Sequence, residues 1–331
     1  MSKKYDVLLC GYYGFGNLGD ELLLESLVAL LVSSGIARER IAVLSASPDR
    51  THGALGVDAY DRWSLTAMLS ALKKSKTLLL GGGGLFQDAT SIRSCFYYWA
   101  VVRMARMCSV RPWMVGQSLG PLNSPAAKFF ARNAVSCCCF RGVRDFRSSK
   151  ILSDWGLDCE QSPDYVSSLS ISGRGTAGSK LLLNIRAGYD SVSDAVIGSS
   201  VSYASEQGIE IIYAAMSEED VAFLKDKISH KILKDRPISL VRTLNDFEEL
   251  ARNSKYAVGM RFHFLLLSYL YGLKVCAGAY DPKVEALCAE LSIPKVSGRL
   301  VFASADAGLR EELSKRVSYS FNRGLAKALK G

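Results

Sequence analysis

The chain has 331 residues, more than one ordinary core requires, and this predicts two α/β domains. Its 49% hydrophobic content and mean hydropathy of +0.11 suit parallel strands buried on both faces, yet no segment reaches the uncharged apolar length of a membrane span. A net charge of +9 fits anionic substrates or an anionic membrane surface, and the lack of a basic run interleaved with aromatics argues against nucleic acid.

The first predicted strand, 5–10, follows a start with two lysines, Lys3 and Lys4. Only a strand-length apolar run precedes the glycines, so no signal peptide is expected. Next comes Gly11-Tyr12-Tyr13-Gly14-Phe15-Gly16-Asn17-Leu18-Gly19-Asp20-Glu21, opening a leucine-rich helix over 20–33. A loop so rich in glycine can bring bare amides and a helix N-terminus against a ligand. It contains Gly14-x-Gly16-x-x-Gly19, similar to a dinucleotide fingerprint. However, Gly11-Tyr12-Tyr13 separates strand from triplet, and the next strand, 41–44, ends in Ser45-Ala46-Ser47 without an acid for a ribose. A nicotinamide cofactor is therefore not expected.

Strands at 77–80, 113–116 and 138–143 follow, with helices at 65–74, 92–108, 125–136 and 146–155. Special residues fall where these strands end. The run Gly81-Gly82-Gly83-Gly84-Leu85-Phe86-Gln87-Asp88 has four glycines whose entropic cost points to close approach of a substrate. Gly116-Gln117-Ser118-Leu119-Gly120-Pro121 adds amides and a carboxamide, and Arg144 can hold a carboxylate or phosphate or pair with Asp145 or a neighbouring helix.

A polar stretch over 170–179 reads as the linker, after which the rhythm restarts. Strands are expected at 181–185, 209–213, 238–240, 256–259 and 275–277, and helices at 190–205, 218–228, 246–253, 262–271 and 282–291. Met260-Arg261-Phe262-His263 opens an apolar helix, where free amides and the helix dipole favour an anion. Lys283 near the next helix start adds a positive charge. A basic helix, 309–329, closes the chain and either packs back on the first domain or touches membrane. The expected division is 1–170, 171–308 and 309–331: two doubly wound Rossmann-like domains facing across a cleft in a GT-B-like α/β architecture.

Nine cysteines, none spaced as C-x-x-C, read as small core residues in a reducing cytosol, with Cys137-Cys138-Cys139 in a strand. Three scattered histidines, His52, His230 and His263, give little from which to build a metal site, and none is expected.

Taken in order, the glycine-rich loop, the Gly81–Asp88 run, the Gln117 segment, Val143-Arg144-Asp145, Met260-Arg261-Phe262-His263 and Tyr280-Asp281-Pro282-Lys283-Val284 resemble the polysaccharide pyruvyl transferase family, nearest its CsaB-type bacterial branch. Ser118-Leu119 departs from the usual glycine-plus-aliphatic pair, and Phe262 stands where leucine is common. The resemblance implies a GT-B-like enzyme using phosphoenolpyruvate without a metal, nucleotide or other cofactor. It implies that a pyruvyl ketal is set on N-acetylmannosamine of a lipid-linked cell-wall glycan precursor, by a cytoplasmic protein in transient contact with the inner leaflet.

It further implies that Arg144, Arg261 and Lys283 bind phosphoenolpyruvate. His263 would be the general acid and Asp20, alternatively a helix cap, the base. Gly14, Asn17, Gly83, Gln87, Asp88 and Gln117 would face the acceptor. The competing reading is a nucleotide-sugar glycosyltransferase, with Glu285 on the ribose; a non-catalytic sugar- or phosphate-binding module is the third.

Overall fold

The structure is a computed structural model and describes residues 3–89, 91–169, 171, 178–304 and 307–330. The chain divides into two compact units, Met1–Leu169 with Glu312–Gly331, and Ser170–Glu311. Most of the expected linker lies outside the described residues.

In the first unit the strands are β1 (Tyr5–Cys10), β2 (Ile41–Ser45), β3 (Asp58–Asp61), β4 (Ser75–Leu80), β5 (Gly83–Phe86), β6 (Arg111–Leu119), β7 (Arg141–Val143) and β8 (Glu160–Gln161). They form one sheet ordered β3-β2-β1-β4-β6-β7-β8, with β5 beside β6 and every pairing parallel. The crossovers are α1 (Leu18–Ser33), α2 (Pro48–Leu55), α3 (Leu65–Lys73), α4 (Arg93–Met107), α5 (Pro125–Ser136) and α6 (Phe146–Asp154). Because side chains alternate along a strand, Leu8, Cys10, Leu78 and Leu80 enter a core with Tyr98 and Val101 of α4 and Ala127 and Ala131 of α5. Val7, Leu9 and Leu79 point to the opposite face and are equally buried. Each such side chain contributes roughly 1.5–3 kcal/mol by leaving water.

The second unit repeats the plan with β9 (Lys180–Asn184), α7 (Asp190–Gln207), β10 (Ile211–Ala215), α8 (Glu218–Ser229), β11 (Ile238–Leu240), α9 (Leu244–Arg252), β12 (Ser254–Gly259), α10 (Phe262–Tyr271), β13 (Lys274–Ala277) and α11 (Pro282–Leu291). Its sheet runs β11-β10-β9-β12-β13, again parallel throughout. The last helix, α12 (Ala307–Leu329), belongs from Glu312 onward to the first unit. There Phe321 meets Trp113 with ring centroids 5.7 Å apart, Arg323 pairs with Glu160 at 2.6 Å, and Lys327 lies over Phe140. Two of the basic residues expected along this helix are thus spent on the protein's own surface.

Three local expectations are corrected. β3, Asp-Ala-Tyr-Asp, is a short, half-polar edge strand with no hydrophobic run to announce it. β5 forms from a segment whose glycines read as pure loop. The Cys137–Cys139 run precedes β7 and is not part of it; Cys138 is buried, its thiol directed to the Ala134 carbonyl. All nine cysteines are free thiols, and burial pushes that of Cys10 up to about 12.

Candidate functional site

In each sheet the crossovers reverse direction at one point, between β1 and β4 in the first and between β9 and β12 in the second. Open α/β sheets bind ligands beyond the carboxyl ends of strands at such points. In the first unit Cys10 and Leu80 are register partners, so the two glycine-rich segments leave the sheet side by side.

The first of these segments is already filled by its own chain. Oε1 of Glu21 accepts from the amides of Gly14 and Gly16, both at 3.0 Å. The loop is also stitched to the segment after β2, through Ala46 N to Tyr13 O and Ser47 Oγ to Gly14 O. Gly14 has φ +82°, and a Cβ there would lie 2.2 Å from Ser45 Oγ. A carboxylate three residues into the helix thus already occupies the Gly14 and Gly16 amides. Asn17 caps α1, accepting from Gly19 N at 3.2 Å. The alternative of Asp20 as the cap is therefore replaced by Asn17, and the helix starts two residues earlier than expected. Asp20, in the first turn, is half-buried, with Oδ1 3.2 Å from where a Cβ of Gly83 would stand.

The glycines after β4 also have an internal cause. A Cβ at Gly81 would fall 2.1 Å from the Tyr13 hydroxyl and 2.4 Å from Leu27, and one at Gly82 2.9 Å from Leu23. Tight packing of α1 on the sheet, rather than substrate approach, accounts for these two. Gly83 has φ +92°, a region that favours glycine.

Gln117 is fully buried and donates to the Gly81 carbonyl at 2.9 Å, so it braces the loop. Gln87 accepts from Ala89 N at 2.8 Å, and Asp88 accepts from the amides of Asn123 and Ser124, both at 2.7 Å. Those bonds, Asn123 first, hold the Asp88 carboxyl below the usual carboxylate range. Asp88 thereby shapes the loop after β6.

Arg144 is 8% exposed, donating Nε to Ser118 Oγ at 2.7 Å and pairing through Nη1 with Asp164. Asp164, not Asp145, is its ionic partner; Asp145 caps α6 through Ser148 N and accepts from Ser118 Oγ. Ser118 therefore joins the arginine to the cap. An arginine committed in this way helps to hold the first unit together at the ends of β6 and β7.

In the second unit, side chains from four loops converge. Arg261 is the N-cap of α10 and makes no side-chain cap to it, which leaves the helix N-terminus open to an anion. Its guanidinium is forked onto the wholly buried Asp220, Nε to Oδ2 at 3.0 Å and Nη2 to Oδ1 at 2.7 Å, and Nη2 also reaches Ser217 Oγ at 3.0 Å. Asn184, the last residue of β9, accepts from Arg261 N at 3.1 Å. His263 lies in the first turn of α10, its Nε2 shut off from solvent. Lys283 occupies the first turn of α11, where Asp281 caps the Lys283 and Val284 amides.

The group that sequence reasoning missed is Arg186. It follows β9 just as Arg261 follows β12, so the strand-end rule already applied would have found it. Its guanidinium sits 4.8 Å from the Tyr280 ring centroid and 5.3 Å from that of Tyr189, and Nη1 donates to the Tyr280 hydroxyl. Among the described residues it meets no carboxylate. Burial pushes the Tyr280 hydroxyl well above its ordinary value, with Asp281 adding to this and the charges of Arg186 and Arg261 opposing it. Tyr280 thus bonds Arg186 and feels the charge of Arg261.

Two parallel Rossmann-like sheets, each with polar residues at its switch point, define a GT-B-like fold. It is similar to a Staphylococcus aureus MnaA–UDP co-structure, at 9% identity and TM-score 0.60, covering 96% of this chain and 94% of that one. It is also similar to UDP-GlcNAc 2-epimerase from Methanocaldococcus jannaschii, at 12% identity and TM-score 0.59, covering 96% and 93%. A glycosyltransferase from Rickettsia africae matches at 10% identity and TM-score 0.53, covering 98% and 96%. No curated protein sequence matches the chain. The polysaccharide pyruvyl transferase family matches residues 17–282, and the chain belongs to that family.

Proposed function

We propose that this transferase takes its pyruvyl group from phosphoenolpyruvate and sets it as a cyclic ketal on a sugar, N-acetylmannosamine, of a lipid-linked cell-wall glycan precursor. The observation that carries the donor assignment is Arg186, a cation at the second switch point whose side-chain partners among the described residues are aromatic rings and a hydroxyl. Asp220 offsets part of the charge of Arg261, so Arg186, Lys283 and the open N-terminus of α10 supply the rest needed by a carboxylate and a phosphate.

In this reading His263 delivers a proton to the methylene carbon, which becomes the methyl group, and the central carbon turns electrophilic. A sugar hydroxyl attacks that carbon and gives its proton to Asp20. The carbon–oxygen bond to phosphate breaks, a second hydroxyl closes the ring, and its proton leaves with the phosphate. No metal or cofactor enters the scheme. Access to a lipid-linked acceptor would be by transient contact with the inner leaflet.

The nucleotide-sugar alternative is favoured by a pocket of about 340 Å³ lined by Ser191, Val196, Gly278, Glu285 and Lys295. Glu285 there already pairs with Lys295 at 2.8 Å, a half-exposed and therefore weak bridge. The deciding experiment incubates the protein with phosphoenolpyruvate and a short N-acetylmannosamine-containing acceptor, following phosphate release and ketal by mass. A product made from a nucleotide sugar, with phosphoenolpyruvate inert, would replace this reading with the alternative.

A further inference from the structure

At the carboxyl edge of the first sheet, the segments after β1 and β3 and the helix α4 assemble four aromatic rings around one arginine. Tyr12 and Phe15 stack nearly parallel, centroids 4.0 Å apart at 11°. Phe15 meets Trp63 edge-on at 6.3 Å, and Trp63 leans on Tyr97 at 5.8 Å. Tyr12, Phe15 and Trp63 remain 43%, 38% and 65% exposed. Large apolar side chains scattered singly on a surface are ordinary, whereas a contiguous group marks a contact site.

Beneath them Arg62 is 3% exposed, its guanidinium carbon 5.1, 5.2 and 4.5 Å from the ring centroids of Phe15, Trp63 and Tyr97. Nη1 donates to Gly11 O at 2.6 Å and Nη2 to Tyr98 at 3.4 Å. Nε is buried without an acceptor, and among the described residues no carboxylate meets this cation. A buried charge without an ionic partner is costly, and a packing role alone would be met by an apolar side chain. What the arginine does supply is cation–π attraction to four rings at once, those three and Tyr98 at 5.8 Å, which fixes them before any ligand arrives.

We infer that Tyr12, Phe15 and Trp63 form the saccharide subsite of the acceptor, held rigid by Arg62. A pyranose has one face of C–H groups that lies flat on an aromatic ring and a rim of hydroxyls that stays hydrogen-bonded. Exposed rings preset in place over a buried cation match the apolar face of such a sugar. The loop that carries Tyr12 and Phe15 leaves β1, one of the two strands that flank the switch point. This inference rests on the reading that the acceptor is a glycan.

The test measures binding of an N-acetylmannosamine-containing oligosaccharide to the full chain by tryptophan fluorescence and calorimetry. Kd should rise on the order of tenfold in Trp63→Ala and in Tyr12→Ala, and stay near wild type in Trp63→Phe. In turnover, acceptor KM should rise with kcat kept, while stabilisation by phosphoenolpyruvate is unchanged. Wild-type affinity in both alanine variants overturns the inference. So does a wild-type protein that ignores the oligosaccharide, or one whose Trp63 responds to anionic phospholipid vesicles instead. Saccharide binding lost in Trp63→Ala, in a protein that releases no phosphate from phosphoenolpyruvate, upholds the subsite and removes the pyruvyl donor. Ketal formation with unaltered acceptor KM in Trp63→Ala removes the subsite alone.

Discussion

Asp220 grips Arg261 through both carboxylate oxygens while also accepting the amides of Ala187 and Met216, each at 3.3 Å. One buried acid therefore ties the ends of β9, β10 and β12 together and fixes where the Arg261 guanidinium points. An amide cannot accept along both edges of the fork. Asp220→Asn should lose about 3 kcal/mol in urea unfolding, and KM for phosphoenolpyruvate should rise more than KM for the acceptor.

Arg186 separates charge from geometry. Arg186→Ala should raise KM for phosphoenolpyruvate roughly ten- to a hundredfold, as expected for loss of a hydrogen-bonded charged group. Arg186→Lys keeps the charge but not the fork, so steady-state kinetics should place it between alanine and wild type.

His263→Ala should depress turnover by roughly 10²–10⁴-fold, the usual range for a general acid, with little change in the unfolding midpoint. Asp20→Asn should fold normally, since Asn17 and not Asp20 caps α1, and should lose turnover as the base is removed. Wild-type phosphate release by either variant would exclude that residue from the mechanism.

Glu21→Ala strips the acceptor from two loop amides at once, which should destabilise the first unit by about 1–3 kcal/mol for each amide left unsatisfied. Glu21→Gln retains an acceptor oxygen and should recover most of that loss. Urea titration of the two variants reads the difference.

Asp88 makes the loop after β6 sensitive to acid. Its folded value lies below the ordinary 3.8, so its contribution is complete above that value and is lost as pH falls further, through the folded value. Exchange of the Asn123 and Ser124 amides should accelerate in that window, and Asp88→Asn should flatten the dependence.

Hydrophobic periodicity alone made most of the two sheets legible. The runs that became β1, β11, α5, α10 and α11 were bounded as expected, because a buried parallel strand must be apolar and a crossover helix must show a face to it. The rule that ligands gather at strand ends singled out Arg261, His263 and Lys283; the first two open α10 after β12, a strand at the switch point, and Lys283 opens α11 after the edge strand β13. β3 and β5 were not legible, since a polar edge strand and a glycine-rich strand carry no such pattern.

What the one-dimensional chain determined, then, was the fold class and the family, because burial and chain reversal leave local marks. What only the tertiary structure decided was which charges are already spent. Glu21 closes the first loop, Asp164 takes Arg144, Asp220 takes half of Arg261, and Arg186 and Arg62 are left among rings. Pairing partners 20 or 41 residues apart meet only through the fold, and no local pattern encodes them.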